Sequence, residues 1–295
     1  CDIITPTRKV EVSYMTIKQA MIKGITILKL EKISTPKLKA RLLLQYVLKK
    51  PRQYLIVYDN QKLTELEERE YLKYINLLKQ GEPIEHITHQ KEFMKLNFYV
   101  DENVLIPRQD TEVLVEEVIK IAKKIRARKI LDLCTGSGAI AVSLAKYLEN
   151  IQLTALDISG KALDIAISNA KNNKVQDKIT FVESNLFEDL GKEKYDIIVS
   201  NPPYIKKEEL EKLDIEVKKE PRIALDGGKD GLYFYRKIID SAYEYLKYGG
   251  YICLEIGYDQ KEEVTKIIED KKQYINIYCK KDLYDNDRVI VAKLN

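Results

Sequence analysis

The stretch Ile130-Leu131-Asp132-Leu133-Cys134-Thr135-Gly136-Ser137-Gly138-Ala139-Ile140-Ala141-Val142-Ser143-Leu144-Ala145 decides the fold. Its first four residues have the length and apolar content of a buried strand. The glycines that follow let the backbone approach a ligand at the start of a helix, and the small apolar residues after them suit close packing on a sheet. From Lys129 onward strands and helices alternate, which predicts a parallel sheet covered on both faces. Leu153-Thr154-Ala155-Leu156 is the next strand, and Asp157 stands at its end, where a ribose-binding carboxylate belongs.

Two cofactors fit this pattern. Gly136-x-Gly138-x-x-Ala141 matches the dinucleotide fingerprint, so a nicotinamide cofactor is one candidate. Asp132 favours the other, because a carboxylate at the strand tip repels a pyrophosphate and attracts an ammonium. S-adenosylmethionine carries an ammonium, a sulfonium and a ribose without phosphate, so acids at 132 and 157 suit it better. The competing reading of Asp132 is a loop carboxylate that caps backbone N–H groups.

A second segment points to chemistry. Tyr195-Asp196-Ile197-Ile198-Val199-Ser200 reads as a buried strand, and Asn201-Pro202-Pro203-Tyr204 follows at once. Two prolines forbid both a continued ladder and a helix, so the chain must leave the sheet in a stiff, extended turn. Carbonyls near the prolines, the Asn201 amide and the Tyr204 ring would together form a clamp for a planar NH2 group. The bland alternative is an ordinary strand-to-loop turn.

Taken together, the chain resembles the HemK-type protein-(glutamine-N5) methyltransferases that modify peptide-chain release factors. The resemblance runs from about Met15 to the C-terminus and rests on Val104-Leu105-Ile106-Pro107-Arg108-Gln109-Asp110-Thr111-Glu112, Leu131 to Gly138, Ser200 to Ile205, and Glu220-Pro221 with Ala224-Leu225 and Gly227-Gly228. Gly231-Leu232, Leu254-Glu255-Ile256-Gly257 and Asp287-Arg288-Val289 extend it. It implies an α/β fold, a Rossmann-like seven-stranded methyltransferase sheet with a small N-terminal helical domain, and S-adenosylmethionine as cofactor. The cofactor site would comprise Asp132, Cys134, Thr135, Gly136, Ser137, Gly138, Asp157, Asn185, Leu186 and Asn201. Asn201, Pro202, Pro203 and Tyr204 would be the catalytic clamp, with Arg108 added on the substrate side, where it would either pair with an acid or guard the glutamine entrance. The implied partners are class I release factors presenting a Gly-Gly-Gln loop, with no direct nucleic acid, membrane or metal. Three positions depart from the family pattern: Gln109 replaces a usual proline, Asn185 a usual aspartate near the adenine, and Cys134 a common glycine. Cys134 reads as a small filler without a nearby base.

Composition agrees. The 295 residues allow about two domains. Fifty basic and 46 acidic residues nearly cancel, giving a net charge of +4, so nothing demands nucleic acid. Cys1, Cys134, Cys253 and Cys279 form no closely spaced pair, which favours a reducing compartment. No apolar run has membrane-spanning length and no signal-peptide pattern opens the sequence, so a cytoplasmic location is expected.

The expected organisation is an extension over residues 1–14, a helical recognition domain over 15–90, a β linker over 91–110 and the catalytic domain over 111–295. Ile17, Met21, Ile25 and Leu28 share a helix face, Thr35-Pro36 starts a second helix before Leu38 and Leu42, and Thr64-x-x-Glu67 is a capping box closed by Gly81. Met94, Leu96, Phe98 and Val100 alternate as one strand, and Leu114, Val118, Ala122 and Ile125 mark an amphipathic helix. Residues 275–279 and 289–293 should form an antiparallel hairpin at the sheet edge. His86-x-x-His89 has metal-like spacing without a third ligand nearby. Lys206 to Glu209 and Lys218 to Glu220 read as solvated helix faces. The competing function is an adenine-type nucleic-acid methyltransferase, which needs a basic, aromatic-bearing recognition region that residues 16–90 lack.

Overall fold

The computed structural model describes residues 14–295, so all but the last residue of the expected N-terminal extension lies outside the described residues. The chain divides into two compact units between Thr88 and His89.

The first unit is helical: α1 (Ile17–Leu30), α2 (Pro36–Leu48), α3 (Arg52–Val57), α4 (Glu65–Lys79) and α5 (Ile84–Thr88). Its core is Leu28, Leu43, Leu44, Tyr71, Ile75 and Leu78, all fully buried. α4 begins with the expected capping box: the Glu67 N–H donates to Thr64 Oγ1 at 3.3 Å and the Thr64 N–H to Glu67 Oε2 at 2.7 Å. Gly81, just past the end of α4, takes a φ of 82°. One expectation needs correction, that Thr35 and Pro36 form a cap and first-turn pair. Thr35 precedes α2 but sits at φ 48° and caps nothing with its side chain; Pro36 alone starts the helix. The inward face of α2 is Ala40, Leu43 and Leu44, while Leu38 and Leu42 are exposed.

The second unit opens with a hairpin, β1 (Lys91–Phe93) and β2 (Leu96–Phe98), where a single strand was expected. Met94 and Lys95 both take positive φ, the pattern of a two-residue hairpin turn usually signalled by Asn or Gly. Then follow α6 (Thr111–Ile125), β3 (Lys129–Leu133), α7 (Ala139–Tyr147), β4 (Gln152–Asp157), α8 (Gly160–Asn172), β5 (Ile179–Glu183), β6 (Tyr195–Ser200), α9 (Tyr233–Tyr245), β7 (Leu246–Glu255), α10 (Lys261–Asp270), β8 (Tyr274–Lys281) and β9 (Asp287–Leu294). Seven strands form one sheet in the order β5-β4-β3-β6-β7-β9-β8. The first five are parallel; β9 runs antiparallel to β7 and β8, so the last two strands form the expected edge hairpin.

β3 and β6 lie in the middle of the sheet, which is why their residues read as unbroken apolar runs. Ile130, Leu131, Ile197, Ile198 and Val199 are completely buried. Alternate residues feed two separate cores: Ile130, Ile197 and Val199 pack with α6 and α7 on one face, Leu131, Leu133 and Ile198 with α9 on the other. No helix among the described residues is long and apolar enough to cross a membrane.

The capping box supplies a local test of the helical unit. Thr64→Ala should cost about 1 kcal/mol of helix stability. Amide hydrogen exchange over residues 65–79 of the full chain should therefore accelerate about fivefold, and unchanged protection would show that the cap is energetically idle.

Candidate active site

The order of the parallel strands reverses between β3 and β6, and in open α/β sheets ligands bind beyond the strand C-termini at such a point. The loops after β3, β4, β5 and β6 meet there.

The loop after β3 turns sharply. Cys134, Gly136 and Gly138 have φ of 60°, 53° and 78°, which carries the chain from the sheet into α7. Gly138 also needs to be small, because a Cβ there would lie 3.0 Å from the Ala166 Cβ and 3.1 Å from its Cα. Asp157 ties this loop to the end of β4: Oδ2 accepts from the Gly136 N–H at 2.8 Å and Oδ1 from the Ser159 N–H at 3.0 Å. Burial raises its pKa, against the pull of those backbone bonds.

A cavity of about 280 Å³ opens above these strands, lined in part by Cys134, Gly136, Asp157, Asn185, Leu186 and Asn201. Pro203 joins them, and Pro221, Ile223 and Phe234 give part of the apolar wall. Asp157 is the only charged residue among those that line it. Asn185, which lines the cavity, donates its Nδ2 to Glu188 Oε1 at 2.8 Å, so its Oδ1 keeps its acceptor capacity. A second cavity of about 40 Å³ adjoins, lined by Arg108, Thr111, Thr135 and Ser137 among others. Asn201 lines both.

Asp132, Gly138, Pro202 and Tyr204 line neither cavity. Asp132 is wholly buried; its Oδ2 accepts from the Thr135 hydroxyl at 2.6 Å, which braces the loop from beneath, and its Oδ1 has no hydrogen-bond partner. Burial, only partly offset by that hydrogen bond, pushes its pKa up to about 7. The ring of Tyr204 packs on the apolar cluster around α9 and β7, and burial raises its phenol pKa. Cys134 has its thiol pKa pushed up, first by burial and then by Asp157, as suits a filler.

Several residues that hold the site were not singled out from the sequence. Glu220, expected on a solvated face, has a buried side chain. Its Oε2 accepts from the Ile106 N–H at 2.9 Å, and its Oε1 pairs with Arg108, so the acid that Arg108 meets belongs to the same unit and does not lie across the domain interface. The only signal was the Glu-Pro pair itself, and its partner lies 112 residues earlier. Gln260 donates to the carbonyls of Tyr204 at 3.1 Å and Gly231 at 3.2 Å. Thr111 accepts from Asn201 Nδ2 at 3.3 Å, and Glu255 is buried behind it. His86 and His89 have separate local partners, Glu82 Oε1 and the Val100 carbonyl, each at 3.2 Å.

Residues 19–88 match the PrmC N-terminal domain family, and residues 109–219 match the Methyltransferase small domain family. A release factor glutamine methyltransferase of Clostridium acetobutylicum is 42% identical over 282 residues, covering 94% of this chain and 98% of that one. Another of that description, from Fusobacterium nucleatum subsp. nucleatum, is 41% identical over 92% of this chain and 77% of its own length. Among solved structures, the T. thermophilus 16S rRNA N2 G1207 methyltransferase in complex with AdoMet and guanosine matches with a TM-score of 0.50. It is 17% identical and covers 70% of this chain and 50% of that one, a likeness of fold alone.

Gly227 tests how tightly the loop after β6 is held. A Cβ there would lie 2.6 Å from the Tyr204 Cα and 2.7 Å from its carbonyl carbon, both backbone atoms with little room to move. Gly227→Ala should cost about 1–3 kcal/mol, read as a lower midpoint in urea unfolding. An unchanged midpoint would mean that the two segments separate freely.

Proposed function

The chain belongs to the release factor glutamine methyltransferase family, and from that premise we propose how its site recognises donor and acceptor. The enzyme methylates the side-chain amide of a release-factor glutamine. In the proposed reading the methyl donor is S-adenosylmethionine, the acceptor is N5 of the glutamine in a Gly-Gly-Gln loop of class I release factors, and the reaction takes place in the cytoplasm. The observation that carries it is the position of Asn201, shared by two cavities, with the single charge of the larger one on Asp157.

The residues present fit this donor. Asp157 would accept from the ribose hydroxyls, Asn185 Oδ1 from the adenine amino group, and Leu186 would give apolar contact. Thr135 and Ser137, in the smaller cavity at the start of α7, would take the amino-acid end. When bound, S-adenosylmethionine supplies an electrophilic methyl group on a sulfonium sulfur.

The chain's own task is positioning. An amide nitrogen is a poor nucleophile because its lone pair is delocalised. Asn201 Oδ1 and the Pro202 carbonyl would accept the two N–H groups of the glutamine amide and aim its nitrogen into the cavity. Pro203 and Tyr204 would hold that turn rigid. The same two acceptors favour the positive charge that builds on nitrogen, and near-attack geometry of this kind can be worth on the order of 7 kcal/mol. The methylated amide cation is acidic enough to lose its proton to water, so no strong base is required. Residues 15–90 are the proposed recognition module for the release factor.

Two substitutions separate these roles. Asp157→Ala should weaken S-adenosylmethionine binding by about 1.5–3 kcal/mol in calorimetric titration, and unchanged affinity would place the ribose elsewhere. Asn201→Ala should slow methylation of a purified release factor on the order of 100-fold to 1000-fold while cofactor affinity stays within a few-fold. Mass spectrometry of the labelled product identifies the glutamine. Methylation of duplex DNA with no labelled release factor would overturn the reading.

A further inference from the structure

We propose that Glu255 is a positioning residue for methyl transfer: acting through the Thr111 hydroxyl, it dictates which way the Asn201 amide faces and strengthens its Oδ1 as an acceptor. The inference rests on the reading of Asn201 as the clamp for the substrate amide.

Sheet register brings the three groups together. Ser200 in β6 is paired with Leu254 in β7, so Asn201, the first residue past β6, stands beside Glu255, the last residue of β7. Thr111, the first residue of α6, lies against them, with Asn201 Nδ2 donating to its Oγ1 at 3.3 Å. That bond uses the hydroxyl oxygen as acceptor and leaves the hydroxyl proton for Glu255, whose carboxyl pKa, raised by burial, is lowered by both Thr111 and Asn201 beside it. A carboxylate accepts only, so the edge of Asn201 that looks toward it must be the NH2 edge. The Oδ1 edge is thereby turned outward. Without such a partner the two edges of an asparagine amide are nearly equivalent in shape, and a flipped Asn201 would present donors to a substrate NH2 that also has only donors.

Glu255 is not retained as half of an ion pair. It is 1% exposed, and its Oε2 has no hydrogen-bond partner. The charged and titratable groups that face it are Arg288 on β9, Asp110 before α6, Tyr204 after β6 and Tyr235 on α9. Arg288 is committed elsewhere: its Nη2 lies 3.1 Å from Asp282 and 3.4 Å from Asp110, and its Nη1 donates to the Ile256 carbonyl. The two phenol pKa values are raised, so both tyrosines stay neutral near pH 7. A buried carboxylate with an unpaired oxygen is costly for folding, and Glu255 stands where that charge can act on Asn201. Chains of hydrogen bonds polarise one another, so a negative charge at the far end of this one draws the Asn201 protons toward Thr111 and leaves more electron density on Oδ1. Burial, opposed chiefly by Thr111 and Arg288, pushes the Glu255 pKa up to about 7. The ionised form that orients the relay is therefore filled as pH rises through that value.

The test measures kcat for a purified release factor from pH 6 to 9, with cofactor binding followed by calorimetry. For the wild type, kcat should rise with a midpoint near 7. Glu255→Gln and Thr111→Val should each lower kcat by about 10-fold or more, toward the roughly 100-fold that a misplacement of 1 Å can cost, with cofactor affinity within about twofold. Glu255→Gln should also flatten the pH profile. Thr111→Ser keeps the hydroxyl and should restore both rate and profile, a rescue that holds the test open even where Glu255→Gln fails to fold. Wild-type rate and profile in Glu255→Gln, or equal rates in Thr111→Val and Thr111→Ser, would overturn the inference alone. A wild-type protein that labels no release factor would overturn the reading of the clamp and this inference with it.

Discussion

The register of β6 between β3 and β7 is the constraint on which the rest of the site depends. Leu133, Ser200 and Leu254 stand side by side across three parallel strands, and the Ser200 hydroxyl donates to the Leu133 carbonyl at 2.7 Å as a lateral tie. One residue beyond that line come Cys134, Asn201 and Glu255, the turning point of the cofactor loop, the clamp and its buried partner. A slip of one residue in β6 would turn Ile197 and Val199 from one core to the other and move Asn201 away from both cavities. Because each face of β6 is packed against its own apolar cluster, such a slip would misplace the whole strand.

Buried carboxylates organise the loops above that line, and each does so differently. Asp132 takes a hydroxyl bond and stiffens the turn after β3. Glu220 gathers the Ile106 N–H and the Arg108 guanidinium, which joins the loop before α6 to the segment after the clamp. Asp157 ties two backbone N–H groups and keeps a face in the cavity. Glu255 stands behind Asn201 with one oxygen unpaired. Local polar atoms satisfy carboxylates at low cost when they are backbone N–H groups already orphaned by a turn, and Asp157 is the clearest case.

The loop after β6 shows how a rigid extended segment is held without secondary structure. The Ile205 N–H donates to the Leu225 carbonyl at 3.0 Å, and the Gly227 N–H donates back to Ile205 at 2.8 Å. Gln260 takes the Tyr204 carbonyl from the other side. Proline removes donors from the clamp, so its backbone can be fastened only through carbonyls and through the residues that follow. That is why the Gly227 to Gly231 stretch must approach so closely.

The amino-acid sequence by itself determined the sheet, the two switch-point loops and the stiff Asn201 to Tyr204 turn proposed as the clamp, because these are written locally: an apolar run of strand length, glycines where φ must be positive, two prolines where a strand must stop. It also marked Asp157 and Asn201 by their places after strands, while Asn185 and Leu186 came only from the family resemblance. The tertiary structure alone decided what each acid does. Asp132 was buried with one oxygen unpaired, Glu220 was buried in what read as a charged surface run, and Glu255 was one letter in a motif. The hairpin turn at Met94-Lys95 and the exposed Leu38 and Leu42 were likewise invisible, since a propensity describes a residue's neighbours in sequence. The partners of these groups lie far off in sequence, 112 and 114 residues away for Glu220, and whether a carboxylate is solvated, paired or left with an orphan oxygen depends on which distant segment folds against it.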